Sequence, residues 1–344
     1  MKKPLLTTCL AALLTGIMLF AAIPAAQAKI WRVDNNGGSP GDFVTVAAAL
    51  ADSRVVNNDT LYFNGSGTSY GDATINKRVY IFGPGYFLAQ NPQTQAQPTA
   101  ATVGTLTYTS GATGALITGM SFARLDINAD NVLVKRNYGT NGSQVPVITV
   151  RAGRSNVLLV QNYIYNAYYE RGVYVESGCS NVLVSNNFIG TNANNNSTSY
   201  AAVHSLSSLT VTQNVIYRSW IQADNSTITN NIIREGGISG AGSGILNNVG
   251  NDTNTPAGNG NQQNVTMSNV FTLTGSDDAV WTLKAGSPAL AAGANGEDCG
   301  MFGGTDPYVL SGMPAIPAIW FFAAPSSGSG ASGLNVRIKA KSHN

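Results

Sequence analysis

A short phrase that returns along the middle of the chain constrains the fold more than any other feature of the sequence. Each copy starts on a polar residue, continues with hydrophobic residues at alternate positions, and reaches an Asn near its end. Self-similarity of this kind is typical of solenoids, in which each repeat buries its apolar side on the next. Successive copies are separated by steps of 25, 25, 27 and 17 residues. They begin at Asn131, Asn156, Asn181, Ser208 and Asn225, and a fainter copy covers residues 263–270.

The alternation inside each copy predicts a β-strand with one face in the core. In the second copy, Val157 and Leu159 lie five and three residues before Asn162, and Ile164 lies two residues after it. A period of two places such residues on one side of a strand. We expect the recurrent Asn to lie at a sharp bend, where it tolerates a left-handed backbone and bonds to the amide of the next repeat. The predicted ladder is Asn137, Asn162, Asn187, Asn214 and Asn231.

These repeats resemble the coils of right-handed parallel β-helix proteins, the pectin-lyase-like architecture of secreted bacterial proteins. The resemblance covers roughly residues 42–290 and implies an all-β fold, a right-handed parallel β-helix solenoid, without implying an activity. The phrase from Trp281 to Leu290 also resembles the last coil of such proteins. A leucine-rich repeat is the main alternative, because Val132, Val134 and Asn137 fit part of its consensus. The spacers here are polar and rich in Gly, Ser, Asn and Tyr, which favours the β-helix.

The first 28 residues predict an export signal. Lys2 and Lys3 precede an apolar run, and Ala26-Gln27-Ala28 has the small-x-small pattern of a cleavage site. We therefore expect cleavage near Ala28, a location that is secreted, cell-surface or periplasmic, and no membrane insertion afterwards. Export permits disulfides, but the spacing of Cys179 and Cys299 suggests no short-range pairing, so we favour two unpaired thiols.

Both ends of the solenoid, residues 29–290, are expected to be covered. An Ala-rich stretch at residues 42–52, with Asp42 as N-cap, predicts a helical cap over the unpaired edge of the first coil. Residues 291–344 form the predicted C-terminal capping segment. There, apolar strands at 316–323 and 334–340 flank a Ser/Gly loop. This pattern predicts a hairpin that caps the second open end, a small appended module, or the stub of a sorting tag.

The charge composition argues against several classes of function. Cleavage removes Lys2 and Lys3 and leaves 17 basic residues against 17 acidic ones, and only 10% of residues are charged. A neutral chain without basic clusters has no electrostatic footprint for nucleic acid or an anionic membrane. Because the acidic residues are scattered along the repeats, we expect neither a metal ion nor another cofactor. The Gly-rich residues 236–244 precede no basic P-loop residue, so they do not predict a phosphate-binding site.

One motif resembles a known catalytic pattern. Asp277-Asp278, followed by Arg337-Ile338-Lys339, resembles the paired aspartates and the R-I-K of polygalacturonases, which could support inverting glycoside hydrolysis. The N-T-D and G-H-G motifs of that family are absent here. We therefore interpret the two aspartates as an exposed turn, and the catalytic residues, if any exist, stay unknown.

A candidate ligand surface emerges from residues 11 and 13 positions before the ladder Asn. Neighbouring parallel strands lie about 4.8 Å apart, so Arg151 and Glu176 are expected to touch. Aromatic and charged side chains together suit sugar rings, whereas the structural interpretation is an exposed ion pair that contributes about 0–1 kcal/mol. Loops at residues 165–171 and 192–199 are expected to wall this surface, with Tyr168 and Tyr169 as further stacking surfaces. The candidate ligand-binding residues are Arg151, Tyr174, Glu176, Arg218 and Trp220.

Two classes of function remain open from the sequence. The first is a non-enzymatic β-helix protein, structural or binding an extracellular glycan at the cell surface. The second is a polysaccharide lyase or a glycoside hydrolase that acts on an extracellular polysaccharide. The small number of carboxylates and the presence of only two histidines favour the first class. The ligand and the oligomeric state are left open.

Overall fold

The computed structural model describes residues 28–38, 41–191, 198–328 and 333–343. In that part of the chain, parallel strands wind into a right-handed parallel β-helix, as the repeats predict. The predicted export signal lies outside the described residues, except for Ala28. No helix in the described ranges is long and apolar enough to cross a membrane.

The first face of the solenoid contains the strands that lead to the ladder Asn. Each strand pairs in parallel with the corresponding strand of the next coil, and Leu158 lies between Leu133 and Leu183. The 25-residue step therefore becomes an exact register between coils. In order across the sheet, the strands are β1 (Ile30–Val33), β2 (Thr60–Phe63), β4 (Tyr80–Phe82), β6 (Leu116–Thr118), β8 (Leu133–Lys135), β11 (Leu158–Val160), β14 (Leu183–Ser185), β17 (Thr210–Thr212), β20 (Thr227–Thr229) and β23 (Gly244–Leu246).

The second and third faces come from one sheet that divides at a long strand, β7 (Ser121–Ile127). Its first half pairs with the second face, and its second half pairs with the third face. It follows β3 (Ala73–Ile75) and β5 (Thr102–Tyr108) in the same sheet. The second face contains β9 (Tyr138–Asn141), β12 (Tyr163–Asn166), β15 (Phe188–Thr191), β18 (Val215–Tyr217), β21 (Ile232–Arg234) and β24 (Val249–Gly250). The third face contains β10 (Ile148–Val150), β13 (Val173–Val175), β16 (Val203–Ser205), β19 (Trp220–Ala223) and β22 (Gly237–Ser239).

The core fills the space between the three faces. Val157, Leu159 and Ile164 are fully buried, as are the equivalent Val184 and Ile189 of the next coil. The inward positions that the alternation predicts are therefore confirmed. Burying one such side chain contributes about 1.5–3 kcal/mol, so the repeated columns supply much of the stability of the coil.

A column of Asn side chains runs along the corner between the first and second faces. Oδ1 of Asn162 accepts hydrogen bonds from the backbone N and the Nδ2 of Asn137, both at 3.0 Å. The same pair of bonds recurs at each later coil and extends to Asn248 and Asn261. The left-handed conformation lies one residue earlier than expected. The residues directly before the five predicted ladder positions have positive φ, namely Arg136, Gln161, Asn186, Gln213 and Asn230.

The N-terminal helical cap is α1 (Val46–Ala51). Its N-cap is Thr45, whose Oγ1 accepts a hydrogen bond from the backbone N of Ala48 at 3.1 Å. The expectation of Asp42 as N-cap is wrong, because the Asp42 carboxylate accepts from the backbone N of Arg32 instead. Val46, Ala49 and Leu50 are buried in the core of the first coils, whereas Ala47 and Ala48 are exposed.

After β24 the chain turns back and runs along the outside of the ladder corner. We call residues 299–314 the return segment. The backbone N of Gly300 donates to the carbonyl of Asn230, Asn186 Nδ2 donates to Gly303, and Arg136 Nη1 donates to Met313. The return segment therefore passes the coils in reverse order, towards the beginning of the solenoid.

The C-terminal hairpin consists of β25 (Ala318–Ala323) and β26 (Arg337–Lys341), which pair antiparallel. Its position differs from the cap over the last coil that the sequence suggested. The backbone N of Ala96 donates to Ile319, and the carbonyl of His343 accepts from Arg136. These contacts place the hairpin beside the early coils. The phrase around Trp281 also lies outside the coils, because Trp281 packs on Phe188 of the second face.

Candidate functional site

The outward side of the third face presents a continuous row of polar and aromatic side chains, which we call the polar face. The strand register aligns one residue from each coil, and the alternate residues of the same strands point into the core. The sheet therefore fixes the spacing of this row at about 4.8 Å per coil. The aligned residues are Asp126, Thr149, Tyr174, His204 and Gln222.

An ion-pair chain crosses the polar face. Arg151 Nη1 lies 3.0 Å from Glu176 Oε1, and its Nη2 lies 2.8 Å from Asp126 Oδ1. Arg124 Nη2 also donates to Asp126 Oδ1, at 2.9 Å, and Glu176 Oε2 accepts from the backbone N of Ala152. The expected contact between Arg151 and Glu176 is therefore present. The Arg151 side chain is 39% exposed, so the chain of charges is open to solvent on one side.

An aromatic group lies beside these charges. The Arg171 guanidinium lies 4.6 Å from the ring centroid of Tyr174, and the His204 ring meets Tyr174 edge-on at 5.6 Å. Arg171 also lies 5.6 Å from the ring of Tyr200 and forms an ion pair with Glu170 at 2.8 Å. Such cation–π contacts are attractive even at exposed sites and hold the rings in place.

The electrostatic environment lowers the pKa of His204. Burial disfavours its charged form, and the positive charge of Arg171 adds to this effect. The imidazole is therefore neutral near pH 7, with Nδ1 3.2 Å from the carbonyl oxygen of Ser199. A neutral imidazole beside an aromatic ring can exchange hydrogen bonds with a sugar hydroxyl group.

Two of the predicted site residues do not join this group. Trp220 pairs with Gly237 in the sheet, and Arg218 forms an ion pair with Glu235 at 2.9 Å. Their expected alignment with Glu176 is wrong because the turn between the third and first faces changes length. The first-face counterpart lies nine positions after Tyr174 (at Leu183), six positions after His204 (at Thr210) and five positions after Gln222 (at Thr227).

His204 was missed for the same reason. Counting back a fixed number of residues from Asn214 places Val203 and Ala201 on the outside, but both are fully buried. The alternation of Val203-His204-Ser205 matches Val173-Tyr174-Val175 of the previous coil. Aligning the short strands by their alternation, without counting through the turn, would have placed His204 on the outside.

The two neighbouring aspartates have different environments. Asp277 is exposed, as expected, and accepts a hydrogen bond from Gln90 Nε2. The expectation of an exposed turn is wrong for Asp278, which is fully buried. Its carboxylate accepts hydrogen bonds from the backbone N of Ser311 at 2.6 Å, from Ser276 Oγ at 2.7 Å and from Asn91 Nδ2 at 3.0 Å. Asp278 thus joins the return segment to the loop after β4.

The loops beside the polar face are described in part. Tyr168 and Tyr169 are exposed and meet edge-on at 6.0 Å, and the Tyr168 hydroxyl accepts a hydrogen bond from Gln144 Nε2 of the preceding loop at 3.0 Å. Of the second loop, residues 192–197 lie outside the described residues. Its end, a 3₁₀ turn at Thr198–Tyr200, brings Tyr200 to Arg171. One wall of the surface is therefore aromatic.

Neither metal ligation nor thiol chemistry is suggested by the described part of the chain. Within those residues, no group of three or more His, Cys, Asp or Glu side chains could hold a metal ion. Cys179 and Cys299 are buried and unpaired. Burial raises the pKa of Cys299 to about 12, so its thiol is a poor nucleophile near neutral pH.

No protein-family model matches the sequence, and no curated protein matches it. Among solved structures, the crystal structure of pectate lyase Pel9A is similar, with 14% sequence identity and a TM-score of 0.49. The similarity covers 80% of this chain and 96% of that chain. The architecture of this chain follows from its own strand pairing.

Proposed function

We propose that this chain is an extracellular polysaccharide-binding β-helix protein and that the polymer lies on the polar face. One observation carries the proposal: the aromatic group around Tyr174 and His204 lies beside the ion-pair chain of Arg151 in adjacent coils. Sugar rings stack on aromatic faces through their C–H surfaces and form hydrogen bonds at their edges. The polar face offers both kinds of contact side by side.

The shape of the solenoid suits an extended polymer. A parallel sheet repeats the same outward position about every 4.8 Å, so one chain of sugars can contact several coils. The exposed aromatic side chains Tyr168 and Tyr169 extend the surface beyond the sheet. Binding outside the cytoplasm follows from the predicted export signal and forms part of the same proposal.

We propose binding without turnover. Both oxygens of Glu176 are engaged, one by Arg151 and one by the backbone N of Ala152. Asp126 Oδ1 accepts from two guanidinium groups, those of Arg124 and Arg151. A carboxylate that acts as general acid, base or nucleophile needs access to its substrate. These two side chains are instead arranged to hold one another and the arginines in place.

The test is affinity electrophoresis of the mature protein in gels that contain acidic or neutral polysaccharides. Tyr174→Ala removes the central ring, and we expect affinity for the bound polymer to fall about tenfold, since aromatic anchors dominate such contacts. Phe322→Ala is the matched control, because Phe322 is exposed on the hairpin, away from the polar face. Unchanged mobility of the Tyr174 variant would place the site elsewhere.

A second variant separates binding from folding. The double change Arg151→Ala and Glu176→Ala is expected to leave the melting temperature nearly unchanged, because a partly exposed pair contributes about 0–1 kcal/mol. Solutions of the mature protein with the same acidic and neutral polysaccharides are also assayed for unsaturated products and new reducing ends. Their appearance would contradict binding without turnover and support the alternative, a polysaccharide lyase or a glycoside hydrolase.

A further inference from the structure

The C-terminal hairpin presents a strand that is paired on one side only. β26 pairs antiparallel with β25, and in the described part of the chain these two strands form a sheet of their own. All five residues of β26 are exposed. The edge of β25 is partly occupied, because the backbone N of Ala96 donates to the carbonyl of Ile319. An unpaired edge offers backbone N–H and C=O groups to another extended segment, and we call this side of β26 the open edge.

One side of the hairpin is apolar and uncovered. The register aligns Ile319 with Ala340 and Phe322 with Ile338, so these side chains share a side of the sheet. Phe322 is 58% exposed and Ile338 is 55% exposed. Across residues 334–341 apolar and polar residues alternate, which is typical of a strand with one side buried. The hairpin therefore has the sequence pattern of a half-buried strand, but its apolar side is open to solvent.

The other side of the hairpin is basic. Arg337, Lys339 and Lys341 follow one another at every second position, about 7 Å apart along the strand. The Lys339 Nζ and the Arg337 guanidinium lie 5.5 and 5.9 Å from the ring centroid of Phe321, which places them on one side. Among the described residues, no carboxylate forms an ion pair with these three cations. The sequence has no Asp or Glu after Asp306, so the positive charge of the hairpin is not balanced locally.

We propose that the open edge binds an extended segment of a partner protein as an added strand, and that acidic residues alternate with apolar ones in this segment. The backbone of the segment bonds to the backbone of β26, as in other cases of strand addition. Its carboxylates lie opposite the cations, and its apolar residues cover Ile338 on the other side. Directly opposite residues of paired strands are about 5 Å apart, which is close enough for both contacts. The inference concerns a surface other than the polar face and does not depend on polysaccharide binding.

Other occupants account for fewer features of the hairpin. A second copy that pairs antiparallel at the open edge would bring the cations of two β26 strands onto the same side, where like charges repel. An acidic polysaccharide matches the cations, but neither the backbone groups of the edge nor the apolar side. An anionic lipid surface matches the charges and the apolar side, but not the backbone groups. Lysine on an edge strand discourages pairing between copies, whereas it favours a strand of opposite charge.

Fluorescence anisotropy with labelled synthetic peptides tests the proposal. We expect a short peptide of alternating Glu and Val to bind the mature protein, and a matched peptide of alternating Lys and Val not to bind. Lys339→Glu is expected to weaken binding of the Glu/Val peptide about tenfold, because it places like charges opposite each other. Arg78→Glu reverses an exposed cation outside the hairpin and is expected to leave binding unchanged. Failure of the Glu/Val peptide to bind would overturn the proposal.

An exchange of charge separates recognition from loss of folding. The combined change Arg337→Glu, Lys339→Glu and Lys341→Glu is expected to abolish binding of the Glu/Val peptide and to create binding of the Lys/Val peptide. An unfolded hairpin could not gain a new specificity in this way. A Glu/Val peptide with Pro at its centre is expected not to bind, because Pro removes a bond of the added strand. Equal binding of the Pro peptide would show that the cations attract acidic chains without strand pairing, and would overturn the proposal.

Two further measurements distinguish the other occupants. Sedimentation of the protein with phosphatidylglycerol vesicles, in place of peptide binding, would assign the hairpin to a lipid surface. A dimer in analytical ultracentrifugation that Ile338→Asp dissociates would assign it to a second copy. Either result would overturn the proposal. Tyr174→Ala is expected to leave peptide binding unchanged, so a failure at the hairpin is distinguishable from a failure at the polar face.

Discussion

Each Asn of the ladder satisfies backbone groups that the bend would otherwise leave buried without partners. Asn187 Nδ2 donates to the carbonyl of Leu159 and to Asn214 Oδ1, at 2.8 and 3.0 Å. Its Oδ1 accepts from the backbone N and the Nδ2 of Asn162. Buried amides need such partners, and here one side chain serves three coils. The residue before it takes the left-handed backbone conformation, which leaves the Asn free to face inward.

The first prediction concerns this residue. Asn187→Leu leaves the backbone N of Asn162 and the carbonyl of Leu159 unsatisfied, so we expect the free energy of unfolding to fall by roughly 1–3 kcal/mol. Urea denaturation measures the change. The control is Asn254→Leu, because Asn254 is exposed, and a surface change of this kind usually stays within about 0.5 kcal/mol. Equal effects of the two substitutions would show that the hydrogen bonds of the ladder do not stabilise the folded state.

At the scale of elements, hydrogen bonds hold the return segment against the coils. The donors are polar residues at the ladder corner, and one buried carboxylate, that of Asp278, also contributes. Arg136 Nη1 binds the carbonyl of Met313, and Gln161 Nε2 binds the carbonyl of Pro307 at 2.6 Å. Asp278 holds the backbone N of Ser311. These contacts explain why a segment without strands stays ordered along the corner.

Asp278 gives the prediction at this scale. Asp278→Ala removes an acceptor from the backbone N of Ser311 and from Asn91, so stability is expected to fall by about 2–4 kcal/mol, because hydrogen bonds to charged groups are strong. Asp277→Ala is a matched control at the adjacent position and is expected to cost less than about 1 kcal/mol. Thermal unfolding and limited proteolysis of residues 291–343 measure the two effects. Comparable losses in both variants would contradict the buried role of Asp278.

At the scale of the whole molecule, the sequence predicts what repeats and misses what does not. The 25-residue step and the alternation around Leu159 predict the first and second faces, since both follow from local periodicity. On the third face the sequence misaligns Trp220 with Glu176, because the turns after the strands of this face vary in length. The return segment has no periodicity at all, and its path depends on contacts with Arg136 and Asn186 that lie more than a hundred residues away.

In the candidate site as well, the sequence predicts the contacts that follow from equal repeats and misses the others. The contact between Arg151 and Glu176 follows from two coils of equal length, so the sequence predicts it correctly. The contacts of Tyr174 with His204 and Arg171 depend on a shortened turn and on a loop conformation. The packing of Trp281 on Phe188 joins a second-face strand to a distant part of the chain. Tertiary packing, which no local pattern encodes, determines the contacts of Tyr174 and the position of Trp281.

The last prediction concerns calcium and the molecule as a whole. Calcium sites need several oxygen ligands that converge on one point, whereas the acidic side chains of the coils are distributed over separate ion pairs, such as Glu235 with Arg218. A ligand that binds the folded state raises its melting temperature by mass action. Without a calcium site, the melting temperature of the mature protein is therefore expected to change by less than about 1 °C between chelator and millimolar calcium. Differential scanning calorimetry provides the measurement. Arg151→Ala is an informative comparison, since it removes the guanidinium that Asp126 and Glu176 share from the coils on either side and is expected to increase any response to calcium. A rise of several degrees in the unmodified protein would show that its carboxylates converge on a metal ion.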